Sequence, residues 1–253
     1  MFLPSFFMDK RTGSLKNYTG KIEDITLIAN EVYKFTVKSD LNCAFAGQFV
    51  SIFIPNKTFR RPFSIADFGE KEKTITLLIK LKGEGTKYLS SLKKGDSVDF
   101  LAPLGNSFKI ENKKSLLVGA GIGIAPMLFL KKELDKKNIN NYLVSGFRTE
   151  DDVIQGSDKN VIGGSVLDNL EKIIEEKKIE VIYSCGPKIV LEKLSNIAKK
   201  YNITCYVAME KVMACSIGVC RGCTIKLKRN NEIVRASVCK DGTIFRGDEV
   251  IWE

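Results

Sequence analysis

Four cysteines near the end of the chain have the clearest chemical potential. They are Cys215, Cys220, Cys223 and Cys239. A deprotonated thiol is a soft ligand that binds zinc and iron. Histidine is absent from the sequence, which excludes histidine metal ligands, Ser-His-Asp triads and histidine general bases. Because cysteine, carboxylate and lysine side chains are what remains, the composition favours chemistry carried by a bound cofactor.

The spacing of these cysteines indicates which metal they bind. Four residues separate Cys215 from Cys220, two separate Cys220 from Cys223, and fifteen more precede Cys239. This is the spacing of plant-type [2Fe–2S] sites. Small residues suit a tight loop around two irons, and glycine permits a positive φ: Ala214, Ser216, Gly218 and Gly222. Zinc is the rival, because it also takes four thiolates, although commonly from two Cys-x2-Cys pairs, and only one pair is present here.

A glycine-rich turn follows the short apolar strand predicted at Ser115–Val118. Its glycines are Gly119, Gly121 and Gly123, and a helix is predicted to begin close to Pro126. Glycines let the backbone approach a pyrophosphate, and the positive end of the helix dipole favours that anion. The turn departs from the dinucleotide pattern G-x-G-x-x-G, so by itself it fits a plain turn equally well.

Two further segments have the residue types that bind phosphate. In the first, Arg60 and Arg61 precede Pro62, Phe63 and Ser64. An arginine followed by a hydroxyl, on a backbone that proline restrains, can hold a diphosphate. In the second, Gly83-Glu84-Gly85-Thr86 precedes a predicted short helix, where the Gly85 N–H and the Thr86 hydroxyl could contact a second phosphate or a ribose. Each segment alone also fits a solvated surface.

The hydrophobic periodicity predicts the elements that position these residues. The first part of the chain has short alternating strands separated by Gly, Pro and Asn, which is typical of an antiparallel β-barrel. The next part alternates strand and helix, which predicts a parallel sheet covered by helices. The last part is too short to be stable by core burial alone. We therefore predict three domains, over residues 1–112, 113–208 and 209–253.

Composition and charge limit the class of protein. Hydrophobic residues make up 44% of the sequence and charged residues 28%, as in globular proteins. No apolar run approaches the roughly 20 residues that a membrane-spanning helix needs. The start of the sequence lacks the features of a secretory signal, so the clustered cysteines indicate a cytoplasmic metal or redox site. The net charge of +10 also permits a zinc-bearing nucleic-acid-binding protein, but Arg and aromatic residues are not interleaved on any segment.

Taken together, the motifs resemble the ferredoxin–NADP reductase superfamily. Arg61-Pro62-Phe63-Ser64 resembles its flavin motif, with Phe63 in place of the usual tyrosine. Gly83–Thr86 resembles its second phosphate turn, and the run from Gly119 to Pro126 resembles its nicotinamide-domain motif. Cys185-Gly186-Pro187 resembles its Cys-Gly-Pro element. Within the superfamily, the C-terminal cysteines and the run from Cys239 to Phe245 resemble the electron transfer subunits of dihydroorotate dehydrogenase B, over nearly the whole chain from about residue 17.

The resemblance implies an oxidoreductase subunit of pyrimidine biosynthesis with FAD, a [2Fe–2S] cluster and NAD as cofactors. An FMN-containing catalytic partner would oxidise dihydroorotate, in a heterotetramer with two copies of each chain, and its electrons would reach NAD+ through the cluster and FAD. No side-chain acid or base is required. The implied FAD-binding residues are Arg61, Pro62, Phe63, Ser64, the backbone of Leu78, Ile79 and Lys80, and Gly85 and Thr86. The implied NAD-binding residues are Gly119, Gly121, Gly123, Pro126, Cys185, Gly186 and Pro187, and the implied iron ligands are Cys215, Cys220, Cys223 and Cys239.

Two related functions stay open. The first is a subunit of an NADH-dependent ferredoxin:NADP+ oxidoreductase, whose relatives carry an aspartate where this chain has Cys215. The second is a free-standing NADH-dependent flavin and iron–sulfur reductase. Neither a nucleic acid nor a membrane is expected as a partner.

Overall fold

Six antiparallel strands close a barrel in the first part of the chain. We describe residues 15–253 from a computed structural model. The barrel strands are β1 (Lys16–Ala29), β2 (Val32–Lys38), β3 (Phe49–Ile52), β4 (Arg61–Gly69), β5 (Thr74–Lys80) and β6 (Ser97–Leu104), in the closed order β1-β2-β5-β4-β3-β6. Alternation on β5 places Ile75, Leu77 and Ile79 inside the barrel. Helix α1 (Glu84–Ser91) lies between β5 and β6.

A parallel sheet with helices forms the second part. Its elements are β7 (Ser115–Ala120), α2 (Ile124–Lys136), β8 (Asn141–Phe147), β9 (Lys159–Ile162), α3 (Leu170–Lys177), β10 (Val181–Cys185), α4 (Lys188–Lys200) and β11 (Thr204–Ala208). The order of these parallel strands is β11-β10-β7-β8-β9. The carboxyl ends of β7, β8 and β10 therefore meet at one edge, where α/β proteins bind ligands.

The C-terminal part is tied to both of the others. It contains β12 (Thr224–Arg229), β13 (Glu232–Ser237), α5 (Val238–Asp241) and β14 (Ile244–Arg246). Strands β12 and β13 form a hairpin, and β14 joins the parallel sheet antiparallel to β11. The Thr243 hydroxyl donates to the Gly47 carbonyl of the barrel at 2.6 Å. This short segment is thus held by packing against the barrel and the sheet.

The fold class is confirmed: an antiparallel barrel, a parallel α/β sheet and a small C-terminal segment. The limits predicted at residues 112 and 208 fall between elements and stay predictions, while residues 1–14 lie outside the described range. No helix within residues 15–253 is long and apolar enough to cross a bilayer.

Several elements differ from the sequence-based prediction. Strands β1, β4, β9 and β14 were not predicted. Arg61–Ser64 follows strand β3 and its turn, and these residues begin a further strand, β4, where Pro62 lies opposite Ser51. A proline cannot donate a ladder hydrogen bond, so its presence hid this strand from the sequence pattern. The sequence pattern predicts that Cys239 comes from a late strand, whereas the residue lies in the short helix α5.

Candidate functional site

The four C-terminal cysteines form two pairs around one loop. The Sγ atoms of Cys223 and Cys239 are 3.3 Å apart. Cys215 forms a side-chain hydrogen bond with Cys220, and the Cys220 N–H lies 3.4 Å from the Cys215 Sγ. Among residues 15–253, no three His, Cys, Asp or Glu side chains converge on one point as ligands of a single metal ion. Four thiols in this spacing are the ligand set of a plant-type [2Fe–2S] cluster.

Backbone N–H groups of the loop point at the sulfurs. Gly218 donates to the Cys239 Sγ at 3.1 Å, and Gly222 donates to the Cys220 Sγ at 3.5 Å. Left-handed residues produce this geometry: Ser216, Gly218 and Arg221 have positive φ, whereas Gly222 does not. At Gly218 (φ +84°) a Cβ would also lie 2.5 Å from the Lys240 side chain, so glycine is required there.

The thiols differ in their readiness to ionise. Burial raises the pKa of Cys215, but N–H groups of Cys220, Ile217 and Val219 outweigh it and lower this pKa to about 6. Burial, and then the Cys223 thiol, raise the pKa of Cys239. The Cys239 thiol is stable as a thiolate only beside strong positive charge, which two irons would supply. The assignment of these four residues as ligands stays a prediction.

The two predicted flavin phosphate segments meet in a cleft of about 380 Å³. Arg61, Pro62, Phe63, Gly85 and Thr86 all line it. A Cβ on Gly85 would lie 3.3 Å from the Arg61 Nε, so glycine keeps this approach open. The Thr86 hydroxyl is already engaged, because it donates to the Gly83 carbonyl at 2.9 Å and accepts from the Lys82 N–H at 2.9 Å. It shapes the turn. The other groups of the cleft that can donate to a phosphate are the side chains of Arg61, Lys57 and Lys82 and backbone N–H groups.

A smaller cavity of about 200 Å³ brings together residues from all three parts of the chain. Its walls include Phe63, Ser64 and Leu78 of the barrel, Ile122, Pro126 and Cys185 of the α/β part, and Met209, Met213 and Thr243 of the C-terminal part. Burial raises the pKa of the Cys185 thiol well above its usual value. Cys185 is therefore a neutral wall of the cavity and no nucleophile.

The third cavity, of about 810 Å³, lies at the carboxyl ends of β7, β8 and β10. Gly121, Gly123, Gly186 and Pro187 line it as the motifs predict. A Cβ on Gly123 would lie 2.3 Å from the Cys185 carbonyl oxygen, so only glycine lets the two turns touch. Gly119 lines none of these cavities; its missing Cβ would lie 2.8 Å from the Ile124 Cα, so it serves helix packing.

Two of the predicted FAD-backbone residues direct their side chains elsewhere. Ile79 is fully buried inside the barrel. Lys80 lines the α/β cleft, where its Nζ lies 3.1 Å from an Asp152 carboxylate oxygen. Hydrogen bonds from Lys80 and then Thr149 lower the pKa of Asp152. A second link joins the same two parts, since the Asn30 N–H donates to the Asp151 carbonyl at 2.7 Å. The barrel thus forms one wall of the cleft.

Sequence reasoning missed Glu210, which lines both the cleft and the smaller cavity. Glu210 as a whole residue is exposed, but the protein that surrounds its carboxyl raises the pKa of that group, an effect that Lys82 opposes. The available signal was its position just after β11, at the edge where α/β sheets bind ligands. Arg148 and Gly164 also line the cleft and follow β8 and β9 in the same way.

Two family models match parts of the chain. Residues 19–109 match the family model described as the oxidoreductase FAD-binding domain. Residues 210–251 match the iron–sulfur cluster binding domain of dihydroorotate dehydrogenase B.

Curated relatives cover most of the chain. One named "Dihydroorotate dehydrogenase B (NAD(+)), electron transfer subunit", from Caldanaerobacter subterraneus subsp. tengcongensis, is 37% identical over 239 residues, which cover 89% of this chain and 94% of the relative. A protein of the same name from Fusobacterium nucleatum is 32% identical over 260 residues, covering 91% and 98%. Among solved structures, a chain of an NADH-dependent reduced ferredoxin-NADP oxidoreductase is similar with a TM-score of 0.80 at 30% identity, covering 92% and 90%.

Proposed function

The chain belongs to the family of the electron transfer subunits of dihydroorotate dehydrogenase B, and we propose on that premise that it carries electrons from a dihydroorotate-oxidising subunit to NAD+. One observation carries the proposal. The small cavity has walls from the flavin motif, from the nicotinamide motif and from the segment of the cluster cysteines. A flavin ring in that cavity would lie between a dinucleotide and an iron–sulfur cluster. This is the order that an electron relay requires.

The residues present fit the cofactors. Arg61 and the Gly85 turn would hold the FAD diphosphate, with Ser64 and Leu78 against the ring. The cleft glycines would receive the dinucleotide, and the two thiol pairs would hold two irons. When bound, FAD exchanges a hydride with NAD+ and single electrons with a [2Fe–2S] cluster. The task of the chain itself is to bind and to orient these cofactors.

We extend the proposal to the partner and to the location. The relatives are named as subunits, which implies a catalytic partner. The finer proposal is an FMN-containing partner in a heterotetramer with two copies of each chain. The clustered cysteines of the chain, read as thiolate ligands of a metal site, support the cytoplasm as a reducing compartment.

An anaerobic visible spectrum of the purified chain tests the function directly. We expect a flavin band, roughly two irons per chain and bleaching on addition of NADH, with much slower bleaching by NADPH. A colourless protein that contains zinc would contradict the electron relay. Bleaching by NADPH alone would contradict the assignment of NAD+.

The solved relative supports a second candidate, a subunit of an NADH-dependent ferredoxin:NADP+ oxidoreductase. Arg148 lines the cleft after β8, where an arginine can favour a 2′-phosphate. Mixing the chain with the dihydroorotate-oxidising subunit, and separately with ferredoxin and NADP+, discriminates between the two candidate functions. Dihydroorotate-dependent NADH formation supports the first candidate, and electron transfer with ferredoxin and NADP+ supports the second.

A Glu210→Gln variant is expected to weaken NAD+ binding about threefold to tenfold while NADH affinity changes little. The oxidised nicotinamide ring is a cation, so a nearby carboxylate stabilises it more than the neutral reduced ring. As the pH falls through the raised pKa of Glu210, the carboxylate is protonated and wild-type affinity for NAD+ should fall. Titration of both nucleotides across pH measures this effect. Equal pH dependence of NAD+ affinity in wild type and variant would contradict it.

A further inference from the structure

A basic cleft of about 520 Å³ lies beside the cluster loop and shares Met209 and Lys211 with the small cavity of the three described above. Six cationic side chains and two carboxylates line it, which leaves an excess of four positive charges. The cations are Lys188, Lys211, Arg221, Lys226, Arg235 and Lys240, and the acids are Asp241 and Glu253. We call this surface the basic cleft. It extends from the start of α4 across the cluster loop to the β12–β13 hairpin.

Most of this charge is not neutralised within the chain. Lys226 pairs with Glu253 at 2.6 Å, and the Asp241 carboxylate accepts the Ser237 N–H at 2.7 Å. Lys188 and Lys211 help to lower the pKa of the Glu253 carboxyl. Within residues 15–253, however, neither these two lysines nor Arg221, Arg235 and Lys240 form an ion pair with a carboxylate. Like charges held together in this way repel one another, so an anionic surface placed over them would be stabilising.

Exposed aliphatic side chains stand on the same loop as Lys211 and Arg221. Val212 is 90% exposed, Val219 is 76% exposed and Ile217 is 40% exposed. Val219 precedes Cys220, which is itself exposed. A cluster of aliphatic side chains rimmed by charge is typical of a protein interface. A small anion would neutralise the cations but would leave these aliphatic side chains in water.

We propose that the basic cleft and these three aliphatic side chains receive an acidic segment of the catalytic subunit. This inference rests on the proposed function, because it names the surface through which that function finds its partner. The exposed Cys220 lies in this surface, so a partner seated here would cover the edge of the cluster. Charge complementarity then accelerates association and fixes the orientation in which the two chains meet.

The test is a pair of charge reversals, Lys188→Glu with Arg235→Glu, in the holo chain. Neither residue lines the flavin cavity or the dinucleotide cleft, and neither adjoins a cluster cysteine. The matched control is Lys71→Glu with Lys94→Glu, which reverses two exposed charges in turns of the barrel. Association with the FMN-containing catalytic subunit is measured at about 50 mM and about 500 mM NaCl.

We expect the cleft variant to associate at least about tenfold more weakly at low salt, with the difference shrinking at high salt. The affinity of the control variant for the catalytic subunit should differ from wild type by less than about twofold. NADH should reduce the FAD of both variants at the wild-type rate. If wild type and cleft variant associate equally, the docking proposal is overturned. If the wild-type chain forms no complex at all, the proposed function itself fails.

Two further readouts separate the remaining explanations. The midpoint potential of the cluster, followed by electron paramagnetic resonance, reports whether the cations merely offset the charge of the cluster. A shifted potential with unchanged association would overturn docking in favour of that role. Calorimetry with inorganic pyrophosphate reports a small-anion site. Tight binding that the cleft variant loses, again with unchanged association, would overturn docking in favour of a small ligand.

Discussion

A Cys220→Ser variant is expected to lose iron–sulfur absorbance and electron transfer from the catalytic subunit while its FAD is still reduced by NADH. Removing a residue that only hydrogen-bonds to a metal ligand already lowers metal affinity or activity roughly 10- to 100-fold. Removing a thiolate that binds the metal directly should therefore lower cluster affinity by more than about 100-fold. The FAD and dinucleotide cavities are built from other residues. Iron content, the visible spectrum and stopped-flow reduction from each side measure these outcomes.

The control for this variant is Cys43→Ser. Cys43 lies in the barrel loop between β2 and β3, away from the cluster loop, so its iron content should match wild type. If Cys220→Ser still accepts electrons from the catalytic subunit at the wild-type rate, the cluster is not on the route. If iron content is unchanged, Cys220 is not a ligand.

An Arg61→Ala variant is expected to bind FAD roughly tenfold to 100-fold more weakly. A hydrogen bond to a charged group contributes about 1.5–3 kcal/mol, and Arg61 is the arginine in the cleft that it shares with Gly85. Its Nη1 also donates to the Phe59 carbonyl at 2.8 Å, which orients the side chain. Flavin content after purification and FAD titration of the apoprotein measure the loss. The FAD affinity of an Arg61→Lys variant should lie between those of wild type and Arg61→Ala, because lysine keeps the positive charge but lacks the two-pronged hydrogen bonding of a guanidinium.

The neighbouring residue supplies the matched control, Arg60→Ala. The Arg60 guanidinium points away, donating to Asn17 Oδ1 at 3.1 Å and lying 5.6 Å from the centroid of the Phe53 ring. Its removal should leave FAD affinity within about twofold of wild type. Equal losses from both alanine variants would mean that the diphosphate is held by general positive charge rather than by Arg61.

Local spacing predicted much of this molecule. The thiol spacing from Cys215 to Cys223 depends on one loop, and that loop has the N–H donors and left-handed residues that such spacing requires. The glycine turn directly precedes α2 in the chain, so the position of the turn at the start of that helix was also predictable. The strand that begins at Arg61 was missed because Pro62 obscured its pattern. For the cysteine loop and the glycine turn, the decisive interactions lie within a few residues along the chain.

Tertiary structure decided what those motifs do together. No periodicity places Ser64, Cys185 and Thr243 around one cavity, because their distance depends on how three parts pack. The same packing brings Lys80 into an ion pair with Asp152 and places Glu210 where it lines two cavities. It also pairs β14 with the edge strand β11 of the sheet. Sequence spacing therefore determined which groups could bind metal and phosphate. Contacts between residues far apart in the chain determined that these groups face one another, because such contacts depend on the packing of whole surfaces, which no local pattern specifies.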